Sequence, residues 1–405
     1  MLKKIASNTL AQLVAKFFGA GLTLFTTYYT IRLTGLELYG DLTKILVLVA
    51  IGFTAIDFGL NAEAIRFGTS ESKMRQVLGQ VILVRLVLSA LVILALNLLI
   101  FFLPGGYSSE VKSIFWLGSL AIIFQGIYTS GNAWFQSNLS YWRPTISVVV
   151  GSLTGTGLTL YFLATSPTLS HLVLANTIGY SVMALCSVFM LCTSGALAPE
   201  KCLQTRSSLG GLLRRSLILG LILIASVFAS KLDTIILGIF RLSSEVGEYG
   251  FAYRIFDVIL VLPVFVMNAV YPLLIKDSGN SSKLISHTTK NMAFIGVATA
   301  IFLWFAAPYV NLVKPGLTLT VSVLRLLSLS LPLFYVTAPL MWSLIGARRD
   351  KIVLSVYVVA ALGNGLLNLL FIPSFGAPAA AAMTGITELF IFCALLYFSR
   401  NDLRT

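Results

Sequence analysis

Long apolar segments separated by short polar links run along almost the whole chain. A helix that crosses a membrane needs about 20 mostly apolar residues, and the sequence contains twelve such windows. The predicted spans are residues 8–32, 41–65, 77–102, 111–136, 144–165, 170–194, 215–240, 248–274, 289–310, 320–345, 352–372 and 378–399. This pattern predicts an all-α polytopic membrane protein with twelve transmembrane helices. The first window is interpreted as a span and not as a removable signal, because Lys16 interrupts its apolar run and no clear cleavage site follows.

The composition strengthens the membrane interpretation. Hydrophobic residues make up 57% of the 405 residues and charged residues only 11%, whereas a soluble domain carries roughly 25% charged residues. The links between the predicted spans are too short to hold a soluble domain. We therefore expect the whole chain to lie in or at a membrane.

Basic side chains fall mostly on one side of the predicted membrane. The links on that side and the two termini contain Lys3, Lys4, Arg66, Lys73, Arg75, Arg143, Lys201, Arg206, Arg214, Arg215, Lys276, Lys283, Arg348, Arg349, Lys351, Arg400 and Arg404. The other side has only Arg241 and Lys314 in links, with Arg32 and Lys112 at span ends. The positive-inside rule therefore predicts that both termini are cytoplasmic. This topology accounts for the net charge of +13, and we expect no nucleic-acid partner.

Two short sequence motifs each occur twice, and the two copies of each are separated by almost the same number of residues. Residues 39–44 (YGDLTK) and 249–254 (YGFAYR) lie 210 positions apart, and each word ends on a basic residue. Residues 155–158 (GTGL) and 363–366 (GNGL) lie 208 positions apart. Two such anchors indicate duplication of a six-span unit. Because six is even, the copies have the same orientation, and a binding cavity is expected between them.

The duplication predicts two pseudo-symmetric six-helix lobes around a central cavity. Residues 1–194 would form the N-terminal lobe, with transmembrane helices 1–6. Residues 195–214, the longest link, would form a cytoplasmic linker. Residues 215–405 would form the C-terminal lobe, with transmembrane helices 7–12.

The residue types that support enzymatic chemistry are sparse. No G-x-x-x-x-G-K-[ST] phosphate loop occurs, so the chain is not expected to hydrolyse ATP itself. The histidines, His171 and His287, have no nucleophile or metal partner nearby in sequence, and the four cysteines lack metal-ligand spacing. We predict no catalytic residue, no metal and no cofactor, and therefore a protein that is not an enzyme.

Charged residues inside the predicted spans are the candidate chemistry. Lys44, Lys231 and Arg254 lie on spans 2, 7 and 8, and a charge at membrane depth usually faces a cavity or a partner. Basic groups that line a low-dielectric cavity would suit a phosphate or pyrophosphate. Structural pairing or snorkelling to the interface is the alternative. Arg254 and Asp257 share a helix face, which allows them to pair.

A second set of charges favours pairing. By depth, Lys16, Asp57 and Arg85 all lie in the inner third of spans 1, 2 and 3. A structural ion pair between these spans is the expected role of Asp57 and Arg85. Asp233 and Asp257 belong to the same class, as candidates for structural pairing or ion coupling.

Motifs along the chain resemble those of polysaccharide repeat-unit flippases. The residues that carry the resemblance are 35–40 (GLELYG), 57–60 (DFGL), Arg66, Asp233, 247–250 (GEYG), Pro263, 271–272 (YP), 368–376 (NLLFIPSFG), 379–382 (AAAA) and Glu388. They are similar to the patterns of Wzx-type flippases for O-antigen, capsule or exopolysaccharide. That family belongs to the multidrug/oligosaccharidyl-lipid/polysaccharide exporter superfamily.

The resemblance implies a flippase of the bacterial inner membrane. It would move undecaprenyl-pyrophosphate-linked oligosaccharide repeat units to the outer leaflet by alternating access, with basic residues of spans 1, 2, 7 and 8 in the cavity. Lys16, Lys44, Lys231 and Arg254 lie on those spans. The implied partners are the lipid bilayer, a polysaccharide polymerase and a chain-length regulator. Protons, sodium ions or downstream polymerisation could drive the step.

Two alternatives stay open. A cation-coupled multidrug antiporter of the same superfamily would need a cavity dominated by carboxylates, whereas basic groups outnumber acidic ones here. A peptidoglycan-precursor flippase normally has more spans than the twelve predicted.

The predicted topology can be tested by cysteine labelling. Reagents that do not cross the membrane should reach residues 311–319 from outside, and should reach residues 195–214 and 346–351 only after the membrane is opened. External labelling of either of the two inner links would overturn the twelve-span arrangement.

Overall fold

The computed structural model describes residues 2–67, 71–138, 140–196, 209–276 and 281–403. In this part the regular structure is entirely helical, which confirms the predicted all-α class. The helices of the first half are α1 (Leu2–Thr34), α2 (Leu36–Asp57), α3 (Leu60–Phe67), α4 (Glu71–Phe102), α5 (Ser109–Ser119), α6 (Ala121–Ser137), α7 (Trp142–Thr165) and α8 (Leu169–Thr193). Those of the second half are α9 (Leu209–Phe240), α10 (Ser243–Ile259), α11 (Val261–Lys276), α12 (Ser281–Ala306), α13 (Thr318–Gly346), α14 (Asp350–Phe375) and α15 (Ala377–Leu403). A short 3₁₀ helix, Ala307–Leu312, follows α12.

Eleven helical segments in the described part are long and apolar enough to cross a membrane. They cover the predicted spans from the second to the twelfth. The first predicted span lies within α1, a helix of 33 residues that is not one of the eleven. The count of eleven takes in the chain from Lys16 onward, so it includes only part of the first predicted span. The structure therefore agrees with a membrane fold of eleven to twelve helices.

The chain forms two compact units, Met1–Ile224 and Ala225–Thr405. We call them unit 1 and unit 2. Their boundary lies inside α9, and not in the link 195–214 that was predicted to separate the lobes. Residues 197–208 of that link lie outside the described residues. The two-lobe division with a cytoplasmic linker stays a prediction.

In unit 1, the most extensive contact joins α7 to α8. Glycines allow the two backbones to come close, because a Cβ atom at Gly151 would lie only 2.7 Å from the carbonyl oxygen of Gly179. Small residues at such a contact are typical of helices that associate in lipid. Helix α8 also packs against α6, and α1 packs mainly on α7.

The second predicted span is broken in the structure. Phe58 and Gly59 adopt positive φ angles of 43° and 69°, so α2 ends at Asp57 and α3 begins at Leu60. The break lies against the first half of α9, where a Cβ at Gly220 would be 2.7 Å from the Phe58 ring. A positive φ is unusual for a bulky residue and is retained only where the surroundings require it.

In unit 2, α13 is the central helix and contacts α10, α11, α12, α14 and α15. Acidic side chains of α10 tie the helix ends together. Glu248 Oε2 accepts hydrogen bonds from the backbone N–H of Thr320 at 2.8 Å and from its hydroxyl at 3.0 Å. Glu245 Oε1 accepts from the N–H of Ala377 at 2.7 Å. These carboxylates satisfy donors at the first turns of α13 and α15, which have no partner within their own helices.

The close contact of α7 and α8 predicts a difference between two glycines on one helix. Gly151→Ala should lower the free energy of unfolding by about 1–3 kcal/mol, because the new Cβ overlaps the α8 backbone. Gly157→Ala is the matched control, since a Cβ there meets nothing within 4 Å. Thermal unfolding of the detergent-purified protein would measure both. Equal melting temperatures for the two variants would contradict the packing described here.

Candidate functional site

The guanidinium of Arg85, on α4, is the centre of a polar cluster in unit 1. Its side chain is 1% exposed, and Nη2 lies 2.9 Å from Asp57 Oδ1. The same nitrogen donates to Asn61 Oδ1 at 3.1 Å, while Nη1 donates to Ser130 Oγ at 2.8 Å and Nε to the Ile56 carbonyl at 3.2 Å. A planar fork with five N–H donors can serve acceptors on α2, α3 and α6 at once.

This cluster supports the break in the second span. The Ile56 carbonyl lies at the end of α2, where carbonyls lack an intrahelical donor, and Arg85 supplies one. The structure thus brings Asp57 and Arg85 together as their depth in the sequence suggested. The Asp57 side chain is 36% exposed, so the pair is open on one side. Lys16 is exposed on α1, which packs mainly on α7 and α2.

Lys44 is buried, and its contacts fit a structural role. Its Nζ lies 3.0 Å from Asp41 Oδ1 and donates to the carbonyl of Gly106 at 2.7 Å. The Tyr107 ring lies 5.7 Å from the same nitrogen, and burial raises the pKa of the Tyr107 hydroxyl, which stays neutral. Lys44 was predicted to line a cavity. In the structure it ties α2 to the link that precedes α5, because its long stem reaches that carbonyl.

Lys231 and Asp257 form an ion pair in unit 2. Nζ of Lys231, on α9, lies 3.1 Å from Asp257 Oδ2, on α10. The same nitrogen lies 4.2 Å from the centre of the Tyr253 ring, a cation–π distance. The Tyr253 hydroxyl donates to the Ser230 carbonyl at 3.0 Å, which fixes the ring. The side chains of Lys231 and Asp257 are 19% and 45% exposed, so the pair borders the surface of unit 2.

The geometry gives Asp257 a partner on another helix. Arg254 and Asp257 were expected to be able to pair because they share a face of α10. The ion pair of Asp257 is to Lys231, because the flexible lysine side chain reaches across from α9 to the exposed carboxylate. Arg254 is half-buried, one turn before Asp257. Lys44 and Arg254 occupy matching places in the repeated words, yet one is fully buried and the other is partly open.

Asp233 is fully buried and lies in a set of hydrogen-bond donors. Its Oδ2 accepts from the Tyr249 hydroxyl at 2.5 Å and lies 3.1 Å from Thr384 Oγ1. Its Oδ1 accepts from the backbone N–H of Thr234 at 2.5 Å. Lys231 and Asp233, two residues apart on α9, have different environments, since Lys231 is partly exposed and Asp233 is fully buried. A buried carboxylate with several donors is satisfied without a salt bridge.

Several polar residues of unit 2 were not recognised as site candidates from the sequence. Glu388, on α15, is buried and hydrogen-bonded to the Thr337 hydroxyl of α13. Tyr253 interacts electrostatically with Asp233, Asp257 and Glu388. Glu388 could have been recognised from the sequence, because it is a carboxylate inside an apolar span. Tyr253 could not, because its role depends on three-dimensional contacts.

The described residues contain no group of three or more His, Cys, Asp or Glu side chains that could hold a metal ion. The charged clusters of the two units are therefore built from hydrogen bonds and ion pairs. Such clusters can bind anions through basic groups and protons through carboxylates.

Comparison with sequence families decides the family. The polysaccharide biosynthesis protein family matches residues 2–278, which is more than half of the chain. The chain belongs to this family. No curated protein matches the sequence.

Solved structures give the fold of this polysaccharide biosynthesis family member. A lipid II flippase, MurJ, in an inward closed conformation matches with a TM-score of 0.80 at 17% identity, over 98% of this chain and 87% of that one. An inward-facing multidrug resistance MATE family transporter of the MOP superfamily matches with a TM-score of 0.80 at 15% identity, over 95% and 94%. A MOP superfamily transporter from Pyrococcus furiosus gives a TM-score of 0.68 at 15% identity, over 98% and 95%. At these identities the likeness shows a transporter fold and no more.

The Arg85 cluster predicts an order of stabilities. Asp57→Ala leaves a guanidinium that is 1% exposed without its anion, so the loss should approach about 3–5 kcal/mol. Arg85→Ala should lose less, because the remaining carboxylate is 36% exposed and partly solvated. The double variant should recover part of the loss of Asp57→Ala.

Thermal unfolding of the purified variants would measure this order. Arg32→Ala is the control, since Arg32 is exposed and surface substitutions usually stay within about 0.5 kcal/mol. Wild-type stability for both single variants would show that the ion pair contributes nothing.

Proposed function

We propose that the chain is a flippase. It would translocate undecaprenyl-pyrophosphate-linked oligosaccharide repeat units across the bacterial inner membrane by alternating access. The observation that carries the proposal is the family match over residues 2–278, together with the motifs similar to those of Wzx-type flippases. The fold shared with a lipid II flippase supports a lipid-linked substrate. Assignment to the inner membrane, with both termini cytoplasmic, is part of the proposal.

Lys231 is the proposed anchor for the pyrophosphate. The Lys231 side chain reaches the surface of unit 2 but is only 19% exposed. Because little water surrounds it, its attraction to an anion is stronger than in bulk water. Its partner Asp257 is 45% exposed. A substrate phosphate can replace the Asp257 carboxylate, because the displaced carboxylate is exposed enough to be solvated by water. In this mechanism Asp257 neutralises Lys231 while the site is empty and turns to solvent when the substrate arrives.

Arg254 is the proposed second ligand. It is half-buried on the same helix as Asp257, and its planar fork matches two phosphate oxygens, whereas a lysine offers a point charge. Lys16, which is exposed on α1, stays a proposed contact from unit 1. Lys44 is a weaker candidate, because its ammonium group is committed to Asp41 and Gly106.

Ion coupling is the proposed role of Asp233. It is a fully buried carboxylate, set among hydroxyl and N–H donors, which is the kind of group that responds to a bound proton or sodium ion. A polysaccharide polymerase and a chain-length regulator are proposed partners of the transported substrate and its products.

A cation-coupled multidrug antiporter is the second candidate. The fold likeness to a MATE family transporter and the buried carboxylates of unit 2 favour it. Uptake of cationic dyes by cells that produce the protein would support this candidate. A peptidoglycan-precursor flippase is the third, and restored growth of cells depleted of their own lipid II flippase would support it.

Variants of the Lys231 site test the flippase proposal in cells that lack their own repeat-unit flippase. Lys231→Ala and Arg254→Ala should abolish surface polysaccharide at normal protein abundance in the membrane. Arg254→Lys should keep partial export, because the charge remains while the two-point contact is lost. Lys290→Ala, at an exposed site on α12, is the control and should export normally.

The double variant Lys231→Ala with Asp257→Ala separates binding from pairing. If Lys231 binds the substrate, removal of Asp257 should not restore export. Full export by the double variant would mean that Lys231 serves only to neutralise Asp257, and would remove it from the proposed site.

A further inference from the structure

Glu388 is a buried carboxyl group for which the flippase proposal has no use. It lies on α15 and faces α13, where its Oε1 is hydrogen-bonded to the Thr337 hydroxyl. In the part of the chain that the structure describes, no ion pair joins Glu388 to a basic side chain. A buried carboxylate without a cation and without several donors is unfavourable compared with the neutral acid.

The Thr337 hydroxyl has one hydrogen and two neighbouring acceptor groups, the Leu333 carbonyl and the Glu388 carboxyl. The Thr337 hydroxyl is hydrogen-bonded both to the Leu333 carbonyl, one turn earlier on α13, and to Glu388. A carbonyl oxygen can only accept, so that bond uses the single hydrogen of the hydroxyl. While the hydroxyl donates to Leu333, a hydrogen bond between Thr337 and Glu388 needs a hydrogen on the carboxyl group. The geometry therefore fits a protonated Glu388 that donates to Thr337.

The other titratable neighbours do not change this count. Tyr357, on α14, and Tyr253, on α10, both interact electrostatically with Glu388. Their hydroxyls are engaged elsewhere, since Tyr357 donates to Met341 Sδ at 3.3 Å and Tyr253 to the Ser230 carbonyl at 3.0 Å. Neither phenol donates to Glu388.

Asp233 also has a threonine neighbour, Thr384, whose hydroxyl contacts both the acid and the Ala380 carbonyl, but Asp233 has further donors. The Tyr249 hydroxyl and the Thr234 backbone N–H both donate to it, so an ionised Asp233 keeps two hydrogen bonds. An ionised Glu388 keeps one only if Thr337 turns its hydrogen away from Leu333. The two buried acids of unit 2 are thus built for different charge states.

Thr337 also lies at a weak point of α13. Pro332 and Pro339 flank it inside the helix, and each proline removes one backbone hydrogen bond and favours a bend. The bond from Glu388 therefore ties α15 to the segment of α13 that changes shape most easily. Loss of the proton would turn the Thr337 hydroxyl away from the Leu333 carbonyl and toward Glu388, and side-chain bonds of this kind affect how a helix bends.

We propose that Glu388 is a proton-binding site of unit 2. It holds a proton on Oε1 in the conformation seen here, and it releases that proton to water when α13 bends between Pro332 and Pro339. The proton-binding site stands without any assumption about the substrate. Its use as the coupling site for transport rests on the proposed flippase function.

Infrared difference spectroscopy of the purified full chain tests the site directly. The wild type should show the C=O band of a protonated, buried carboxylic acid, and this band should disappear at high pH. Glu388→Gln should abolish the band. Thr337→Val should keep the band but shift its frequency, because the acid loses its acceptor. Glu248→Gln is the control and should leave the band unchanged, since Glu248 accepts from the Thr320 N–H and hydroxyl.

Two results would overturn the proton site. One is a band that persists in Glu388→Gln, and the other is a frequency that does not move in Thr337→Val. The second variant keeps the carboxyl group, so it gives an answer even where Glu388→Gln fails to fold.

Coupling is tested separately with proteoliposomes that contain a labelled lipid-linked oligosaccharide. A pH gradient should change the flipping rate of the wild type several-fold, whereas Glu388→Gln should be insensitive to it. If the infrared results hold while the wild-type rate ignores the gradient, Glu388 binds a proton that does not drive transport. If the wild type flips nothing under any condition, the flippase proposal fails and the proton site remains.

Discussion

Hydrocarbon solvates neither a charge nor an unpaired peptide group, and this constraint accounts for most of what the described helices do. Each buried charge has partners within its own unit: Arg85 has Asp57 and three neutral acceptors, and Lys44 has Asp41 and a backbone carbonyl. The same constraint allows the break at Phe58 and Gly59, because Arg85 supplies a donor to the Ile56 carbonyl there. A charge with a partly exposed side chain is the exception that suggests function. In unit 2 the Lys231–Asp257 pair is of this kind, and so is the Arg241–Glu245 pair at the end of α9.

The two buried acids of unit 2 show how neighbours decide the use of a carboxyl group. Asp233 has a phenol and a backbone N–H as donors, whereas Glu388 has one hydroxyl that is also hydrogen-bonded to the Leu333 carbonyl. Tyr253 interacts with both acids and with Asp257, and Lys231 lies over its ring. A change of charge at one member of this set is therefore felt at the others, which would couple ion binding to the proposed phosphate site.

The helices could be predicted from the sequence, whereas most of the side-chain contacts between them could not. Apolar windows predicted the spans to within a few residues, because hydrocarbon thickness sets a minimum helix length. Depth along the spans also brought Asp57 and Arg85 together. Periodicity could not show the break at Phe58 and Gly59, which packs against α9 and receives a hydrogen bond from Arg85. The ion pair between Lys231 and Asp257 was also missed, because it joins two helices and spacing along one helix does not show it. Lys44 was predicted from the repeat to match Arg254, but burial depends on neighbours that a repeat does not encode.

The central claim is that this member of the polysaccharide biosynthesis family moves a lipid-linked oligosaccharide between leaflets, with Lys231 at the pyrophosphate. The most direct measurement uses sealed proteoliposomes that carry a fluorescent undecaprenyl-pyrophosphate oligosaccharide, with quencher added outside. The account predicts that wild-type protein makes the inner-leaflet probe accessible to the quencher within minutes, while Lys231→Ala protein at equal density leaves it protected as in protein-free vesicles. Equal access with wild type and Lys231→Ala would contradict the assigned site, and protection with the wild type would contradict the proposed function.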